Sequence, residues 1–150
     1  MKWYIGFLTI VLVAVVSCKK VNSGSSIPEI SLVNVSQTTF SHSSEDKVYI
    51  VFRVIDGDAN LGTDSSDIFL EDSRDKTVYQ LEFPTIPTEL QDAGKGINAL
   101  CTLELNSSYF ALREDDTLRV LDTLQFDIQI QDKALNKSNH ITTPDIFISK

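Results

Sequence analysis

The chain has 150 residues, with 13 lysines and arginines against 21 aspartates and glutamates, which gives a formal net charge of −8. This charge argues against a nucleic-acid partner, because an acidic surface repels the phosphate backbone. The 42% of hydrophobic and 23% of charged residues are typical of one ordinary globular domain and not of a disordered chain.

The N-terminal residues have the pattern of an export signal. Lys2 precedes an almost wholly apolar run from Ile5 to Val16. A run of about a dozen apolar residues is shorter than the roughly 20 that a membrane-spanning helix needs. We therefore predict that residues 1–17 are a signal peptide and that the chain is exported.

The end of this signal resembles the lipobox of bacterial lipoproteins, because the small Ser17 stands directly before Cys18 and after two apolar residues. The resemblance implies that Cys18 becomes the mature N-terminus and carries covalent lipid (palmitate). Several acyl chains then hold the protein to a membrane. The expected location is the bacterial envelope, specifically the outer membrane, in either its periplasmic or its surface-facing leaflet. An ordinary cleaved signal with an incidental Cys18 is the alternative.

Residues 18–26 are expected to be the lipidated cysteine and a flexible tether. Lys19 to Ser26 reads KKVNSGSS, which is polar, contains glycine and three serines, and has no hydrophobic periodicity. The folded domain is therefore expected to occupy residues 27–150.

From Ile27 onward the apolar residues recur with period two, which predicts β-strands. The clearest run is Leu124-x-Phe126-x-Ile128-x-Ile130, whose intervening residues are all polar. Lys47 to Ile55 is apolar at both alternating positions and predicts a central strand covered on both sides over part of its length. With five further strands this gives seven, near residues 29–35, 47–55, 67–71, 77–83, 97–105, 124–131 and 140–149. One helical turn is predicted around Ser107 to Leu112, capped by Asn106 or Ser107.

The C-terminal part of the chain resembles the last hairpin of bacterial immunoglobulin-like domains. There a strand is followed by D-x-A-G-N-x-S and a final strand, and here Asp132 to Ser138 reads DKALNKS. Leu135 stands where the family pattern has glycine. The resemblance implies an all-β fold, a seven-stranded antiparallel immunoglobulin-like β-sandwich over residues 27–150.

One segment is dense in oxygen ligands. Counting Asp56 as position 1, oxygen-bearing side chains fall at positions 1, 3, 5, 9 and 12, as in calcium loops. These are Asp56, Asp58, Asn60, Asp64 and Asp67. Leu61 replaces the glycine of an EF-hand and the flanks are predicted strands, so the candidate is a Ca²⁺ site in a β-sheet loop. The alternative is a plain turn, because aspartate, asparagine and glycine favour turns without any metal.

The predicted topology extends this candidate site. In a seven-stranded sandwich, residues 56–66, 84–96 and 132–139 connect strands at the same end. Asp132 and Asn136 are therefore expected to approach the Asp56 segment, and the first strand is expected to begin there too, close to the tether. A Ca²⁺ ion at this end would stiffen the stem of the domain.

Enzyme motifs are missing from the sequence, which has no G-x-S-x-G, H-E-x-x-H or C-x-x-C pattern and no glycine-rich phosphate loop. Cys101 lies at an apolar position of an alternating run and is predicted to be a buried small hydrophobe, without a disulfide. His42 and His140 are predicted to be solvated loop residues.

These observations predict a non-enzymatic, lipid-anchored envelope protein that acts as a binding or assembly module, with a structural Ca²⁺ site as a possible addition. Its partners would be the membrane, through the lipid, and an unknown envelope protein or glycan. The alternative is a carbohydrate-binding accessory lipoprotein, which exposure of Tyr79 and Tyr109 in one flat patch would favour.

Overall fold

The computed structural model describes residues 24–41, 45–62, 67–83, 86, 96–111 and 121–149. These residues form ten β-strands and a single turn of 3₁₀ helix. The strands are β1 (Glu29–Val35), β2 (Thr39–Ser41), β3 (Val48–Asp56), β4 (Ile68–Asp72), β5 (Val78–Leu81), β6 (Ile97–Leu105), β7 (Leu121–Leu124), β8 (Phe126–Ile130), β9 (Ile141–Thr142) and β10 (Ile146–Ser149). Within the described ranges, no helix has the length and apolar character needed to cross a membrane.

The strand order is that of an immunoglobulin-like sandwich. One sheet has the order β1-β3-β6, and all its pairs are antiparallel. The opposite layer consists of two hydrogen-bonded groups, β5-β4-β8-β9 and β2-β10-β7. Only Gln125 separates β7 from β8, so one stretch of chain runs through both groups. The inward side chains of both layers form one hydrophobic core, which confirms the predicted all-β class and immunoglobulin-like sandwich.

Ten strands replace the predicted seven because two of the predicted stretches each contain two strands and one strand is added. β7 and β8 together cover the sixth stretch, and β9 and β10 cover the seventh on either side of Pro144. Proline lacks the N–H that a ladder needs, so the hydrogen bonding stops there. β2 is an added three-residue strand that pairs parallel to β10, too short to produce an alternating pattern.

Side-chain burial follows the predicted alternation along β7 and β8. Leu124, Phe126, Ile128 and Ile130 are all fully buried, and the residues between them are partly exposed. β3 is central in its sheet as predicted, between β1 and β6. However, only one of its faces is buried, since Tyr49, Arg53 and Ile55 on the other face are exposed. The expectation of a strand covered on both sides was therefore wrong: a sheet in a two-layer sandwich has a single inner face.

The predicted helical turn is confirmed as a 3₁₀ helix over Ser107–Phe110. The Asn106 side chain accepts a hydrogen bond from the Ser108 backbone N–H at 3.0 Å and caps the turn. Phe110 is buried against the rings of Phe40 and Phe126, both in edge-to-face geometry. The turn thus closes one end of the core.

Candidate cation site

Three connections between strands meet at one end of the sandwich. The Lys133 backbone N–H donates to the Asn60 carbonyl at 3.0 Å, which ties the turn after β8 to the segment after β3. The Gln131 N–H likewise donates to the Asp67 carbonyl at 2.8 Å. Gly96, which precedes β6, lies against the Asp56 carbonyl. The expected convergence of these connections is confirmed for their described parts.

The structure brings most of the predicted ligand residues to this end. They are Asp56, Asp58, Asn60, Asp67, Asp132 and Asn136. Asp64 and the lipidation candidate Cys18 lie outside the described residues. We call Asp56, Asp58, Asn60 and Asp132 the acidic end, because they carry the contacts that matter below.

Asp56 is the central residue of the acidic end and is only 1% exposed. Its Oδ2 accepts a hydrogen bond from the Asn60 backbone N–H at 3.1 Å, and the Asn60 side-chain amide donates to Asp58 Oδ2 at 3.1 Å. Burial and the negative charges of Asp58 and Asp132 raise the pKa of Asp56 to about 6. The site therefore disfavours its own negative charge.

Two buried oxygens at the acidic end accept no hydrogen bond. These are Asp56 Oδ1 and Asn60 Oδ1, which lack a donor within hydrogen-bonding distance among the described residues. No Lys or Arg of the described residues forms an ion pair with Asp56, Asp58 or Asp132. No group of three or more His, Cys, Asp or Glu side chains in the described ranges is already arranged to hold a metal ion.

Asn136 holds the carboxylate of Asp132 in place. Its backbone N–H donates to Asp132 Oδ1 at 2.7 Å, and its side-chain amide donates to Asp132 Oδ2 at 2.8 Å. The turn between them requires a left-handed residue, which is Leu135 at φ 68°. The D-x-A-G-N-x-S pattern that this segment resembles has glycine at this position, and Leu135 adopts the left-handed conformation there without it. Asn136 consequently acts as a positioning residue for Asp132.

The described chain also enters the domain at the acidic end. The Gly57 N–H donates to the Ser25 carbonyl at 2.8 Å, and the Asn136 amide reaches the Ser26 carbonyl at 3.3 Å. A Cβ atom on Gly57 would lie 2.0 Å from the Gly24 carbonyl oxygen, so only glycine allows this close approach. The predicted proximity of the first strand to this end is confirmed.

The opposite end of the sandwich has a buried charge cluster that the sequence did not reveal. Asp72 at the end of β4 and Asp122 in β7 are both buried, and the Arg74 guanidinium binds both. Arg74 Nη2 lies 2.7 Å from Asp72 Oδ2, and Nη1 lies 2.8 Å from Asp122 Oδ2. We call these three residues the arginine end. The sequence contains one sign of this cluster: Asp72 and Asp122 each occupy an alternating position that is otherwise buried in their strands.

Cys101 and His140 have the expected environments. Cys101 is a free, buried thiol, and burial raises its pKa to about 12, which keeps the sulfur protonated and unreactive. His140 is exposed beside the Asp127 carboxylate. His42 lies outside the described residues.

The tyrosines that would favour a carbohydrate platform do not form a flat patch. Tyr79 and Tyr109 contact each other edge to face, with centroids 4.9 Å apart and planes at 70°, and both pack against the core. A shallow groove of about 180 Å³ lies nearby on the outer face of β4, β5 and β8. Both of its carboxylates are paired, since Glu71 binds Lys76 and Asp127 binds His140. The Lys137 ammonium lies over the Phe69 ring, 5.1 Å from its centroid.

A scan of the sequence against known protein families finds no match, and a search of curated proteins finds none. Among solved structures, the chain is similar to AggA, the major subunit of aggregative adherence fimbriae type I from Escherichia coli. The two are 14% identical, the match covers 81% of this chain and 95% of AggA, and the TM-score is 0.33.

Proposed function

We propose that this chain is a non-enzymatic, lipid-anchored protein of the bacterial envelope whose immunoglobulin-like domain is a binding or assembly module. The observation that carries the proposal is the entry of the chain at the acidic end, where Ser25 and Ser26 contact Gly57 and Asn136. Only a few residues separate these contacts from Cys18. A lipid on Cys18 would therefore hold the acidic end near the membrane and turn the arginine end away from it.

The buried chemistry of the domain also supports a module rather than a catalyst. The thiol of Cys101 is protonated and inaccessible, and Asp72 and Asp122 are neutralised by Arg74. These groups stabilise the fold and are not presented to a substrate. The outer faces of the sheets remain for contact with a partner in the envelope.

Lipidation is tested by metabolic labelling of the full chain with an alkyne-bearing palmitate in a bacterial host. We expect a labelled protein in the membrane fraction and complete loss of label in Cys18→Ser. Cys101→Ser is the matched control, because it removes the other cysteine and should leave labelling unchanged. An unlabelled wild-type chain, or a labelled Cys18→Ser variant, would contradict the anchor.

The kind of partner is tested on the same preparation. Chemical crosslinking in intact cells should give a discrete larger complex that contains the full chain and another envelope protein, and Cys18→Ser should lose it. Saturable binding on a glycan array, without such a complex, would replace the assembly proposal with the carbohydrate-binding alternative.

A further inference from the structure

The acidic end contains a buried concentration of negative charge without a positive partner among the described residues. Asp56 and Asp132 are each 1% exposed, and Asp58 belongs to the same loop, where its Oδ2 accepts a hydrogen bond from the Asn60 side-chain amide at 3.1 Å. A buried carboxylate without a counter-charge destabilises a fold unless something else neutralises it. At the arginine end of the same molecule, Arg74 provides that neutralisation.

The unpartnered oxygens indicate where the missing positive charge would sit. Asp56 is more than nine-tenths buried, and its Oδ1 accepts nothing, while its Oδ2 is held by the Asn60 N–H. Asn60 Oδ1 is a second buried oxygen without a donor, and an amide oxygen can only accept. These oxygens belong to the loop that also carries Asp58. They constitute an observation independent of the acidic composition.

The donor types select the class of cation. Carboxylate and amide oxygens suit hard cations, whereas zinc sites in proteins use cysteine and histidine. Ca²⁺ accepts six to eight oxygens in flexible arrangements, and Mg²⁺ demands a near-ideal octahedron and retains several waters. Donors from two separate connections, joined by the Lys133 to Asn60 hydrogen bond, fit the more tolerant ion.

We propose that the acidic end is a Ca²⁺ site in which Asp56, Asp58, Asn60 and Asp132 bind the ion and Asn136 positions Asp132. The bound ion neutralises the buried carboxylates and fixes the segment after β3 to the turn after β8. Because Gly57 and Asn136 also bind Ser25 and Ser26, the ion stiffens the junction between tether and domain. This inference goes beyond the proposed envelope function and does not depend on it.

The test uses the full chain in mild detergent, freed of metal on a chelating resin. Binding is measured by isothermal titration calorimetry with CaCl₂, and stability by thermal unfolding followed by circular dichroism. Ca²⁺ at a hundred times its dissociation constant should raise the midpoint by about 5–10 °C. MgCl₂ at the same concentration should raise it much less.

Variants distinguish this site from general screening of an acidic protein. Asp56→Asn and Asp132→Asn should each abolish the Ca²⁺-dependent shift, while both proteins remain folded in metal-free buffer. Asp127→Asn is the matched control, because it makes the same change on β8 outside the acidic end and should retain the full shift. Cys18→Ser should also retain it, so that loss of the anchor and loss of the site are separate results.

Three results would overturn the proposal. They are a wild-type chain that shows no shift with Ca²⁺, an equal shift with Mg²⁺, and a shift that persists in both Asp56→Asn and Asp132→Asn. The first two reject a calcium site, and the third places the ion elsewhere.

Discussion

At both ends of the sandwich, strands continue their inward alternation past the apolar residues and bury an aspartate. At the arginine end these residues are Asp72 and Asp122, and at the acidic end they are Asp56 and Asp132. Arg74 binds both carboxylates at the first end, and the described residues supply no such cation at the second. The buried carboxylates at the arginine end are therefore neutralised when the chain folds. Those at the acidic end are neutralised only by protons or cations that the solution supplies.

The two ends also differ in how their stability responds to the solution. A charge pair formed within the chain is present whatever cations the solution contains. A carboxylate cluster that lacks a cation changes its free energy with pH and with added ions. The acidic end, which contacts the tether, is therefore the end whose stability responds to the environment.

The largest effect is expected from removing the internal cation. Arg74→Met removes the guanidinium that binds the buried carboxylates of Asp72 and Asp122, and loss of one member of a buried pair costs about 3–5 kcal/mol. We expect a decrease of this size in the free energy of unfolding, measured by urea denaturation at pH 7. Arg53→Met is the control, since Arg53 is exposed on β3 and should change stability by less than about 0.5 kcal/mol.

A rescue separates charge from packing at the arginine end. Neutralising both carboxylates in the Arg74→Met background, with Asp72→Asn and Asp122→Asn, should recover part of the lost stability. If the triple variant is no more stable than Arg74→Met, the buried charges are not the cause, and the contrast between the two ends loses its physical basis.

The second prediction is that replacing a buried aspartate by asparagine changes the free energy of unfolding in opposite directions at the two ends. In metal-free buffer at pH 7, Asp56→Asn should stabilise the domain by up to about 3 kcal/mol, because it removes a buried charge whose pKa is about 6 instead of 3.8. Asp122→Asn should destabilise the domain by about 1–3 kcal/mol, because it removes a charged partner of Arg74. Urea denaturation of both variants beside the wild type measures the difference.

The pH dependence follows from the same shift. A carboxyl group whose pKa is raised on folding binds more protons in the folded state between pH 3.8 and about 6. The metal-free wild type should therefore lose stability as the pH rises through this window, and the loss should be complete above about pH 6. Asp56→Asn should lack this loss. A wild type and variant with parallel profiles between pH 4 and 7 would show that Asp56 is ionised freely in the folded chain.

Alternation in the sequence was enough to predict most of the strands, and the topology of a seven-stranded sandwich then predicted the convergence at the acidic end. Leu124, Phe126, Ile128 and Ile130 mark one inner face, and continuing that count two residues further reaches Asp132. The spacing of Asp56, Asp58 and Asn60 identified the same end. The alternation and the spacing of the oxygen-bearing residues are both local patterns, which is why they can be read along the chain.

The arginine end could not be predicted because its chemistry joins residues far apart in the chain. Arg74 and Asp122 are separated by 48 positions, and nothing near either one indicates the other. The tie between Ile30 and Asn139, two backbone-to-side-chain hydrogen bonds of 2.8 Å across 109 positions, was equally invisible. Such pairings depend on which strands become neighbours, so they follow from the fold and not from a motif.

The smallest expected effect concerns the turns that follow the buried aspartates. Each turn holds a non-glycine residue in the left-handed region, Lys76 at φ 66° after Asp72 and Leu135 at φ 68° after Asp132. This conformation costs an L-residue about 1–2 kcal/mol, which glycine largely avoids while losing more backbone entropy on folding. Leu135 is 74% exposed, so packing of its side chain contributes little energy to offset the backbone strain.

We therefore expect Leu135→Gly to raise the free energy of unfolding by about 0.5–1 kcal/mol in urea denaturation. Lys76→Gly should raise the free energy of unfolding by less, because it also removes the ion pair between Lys76 and Glu71. Leu135→Ala is the control, since alanine has the same left-handed strain and should gain nothing. A stabilisation by alanine equal to that by glycine would mean that removal of an exposed apolar side chain is responsible and that the turn is unstrained. Stabilisation by glycine alone would show that the turn presenting Asp132 is held in its conformation against the preference of its own residue.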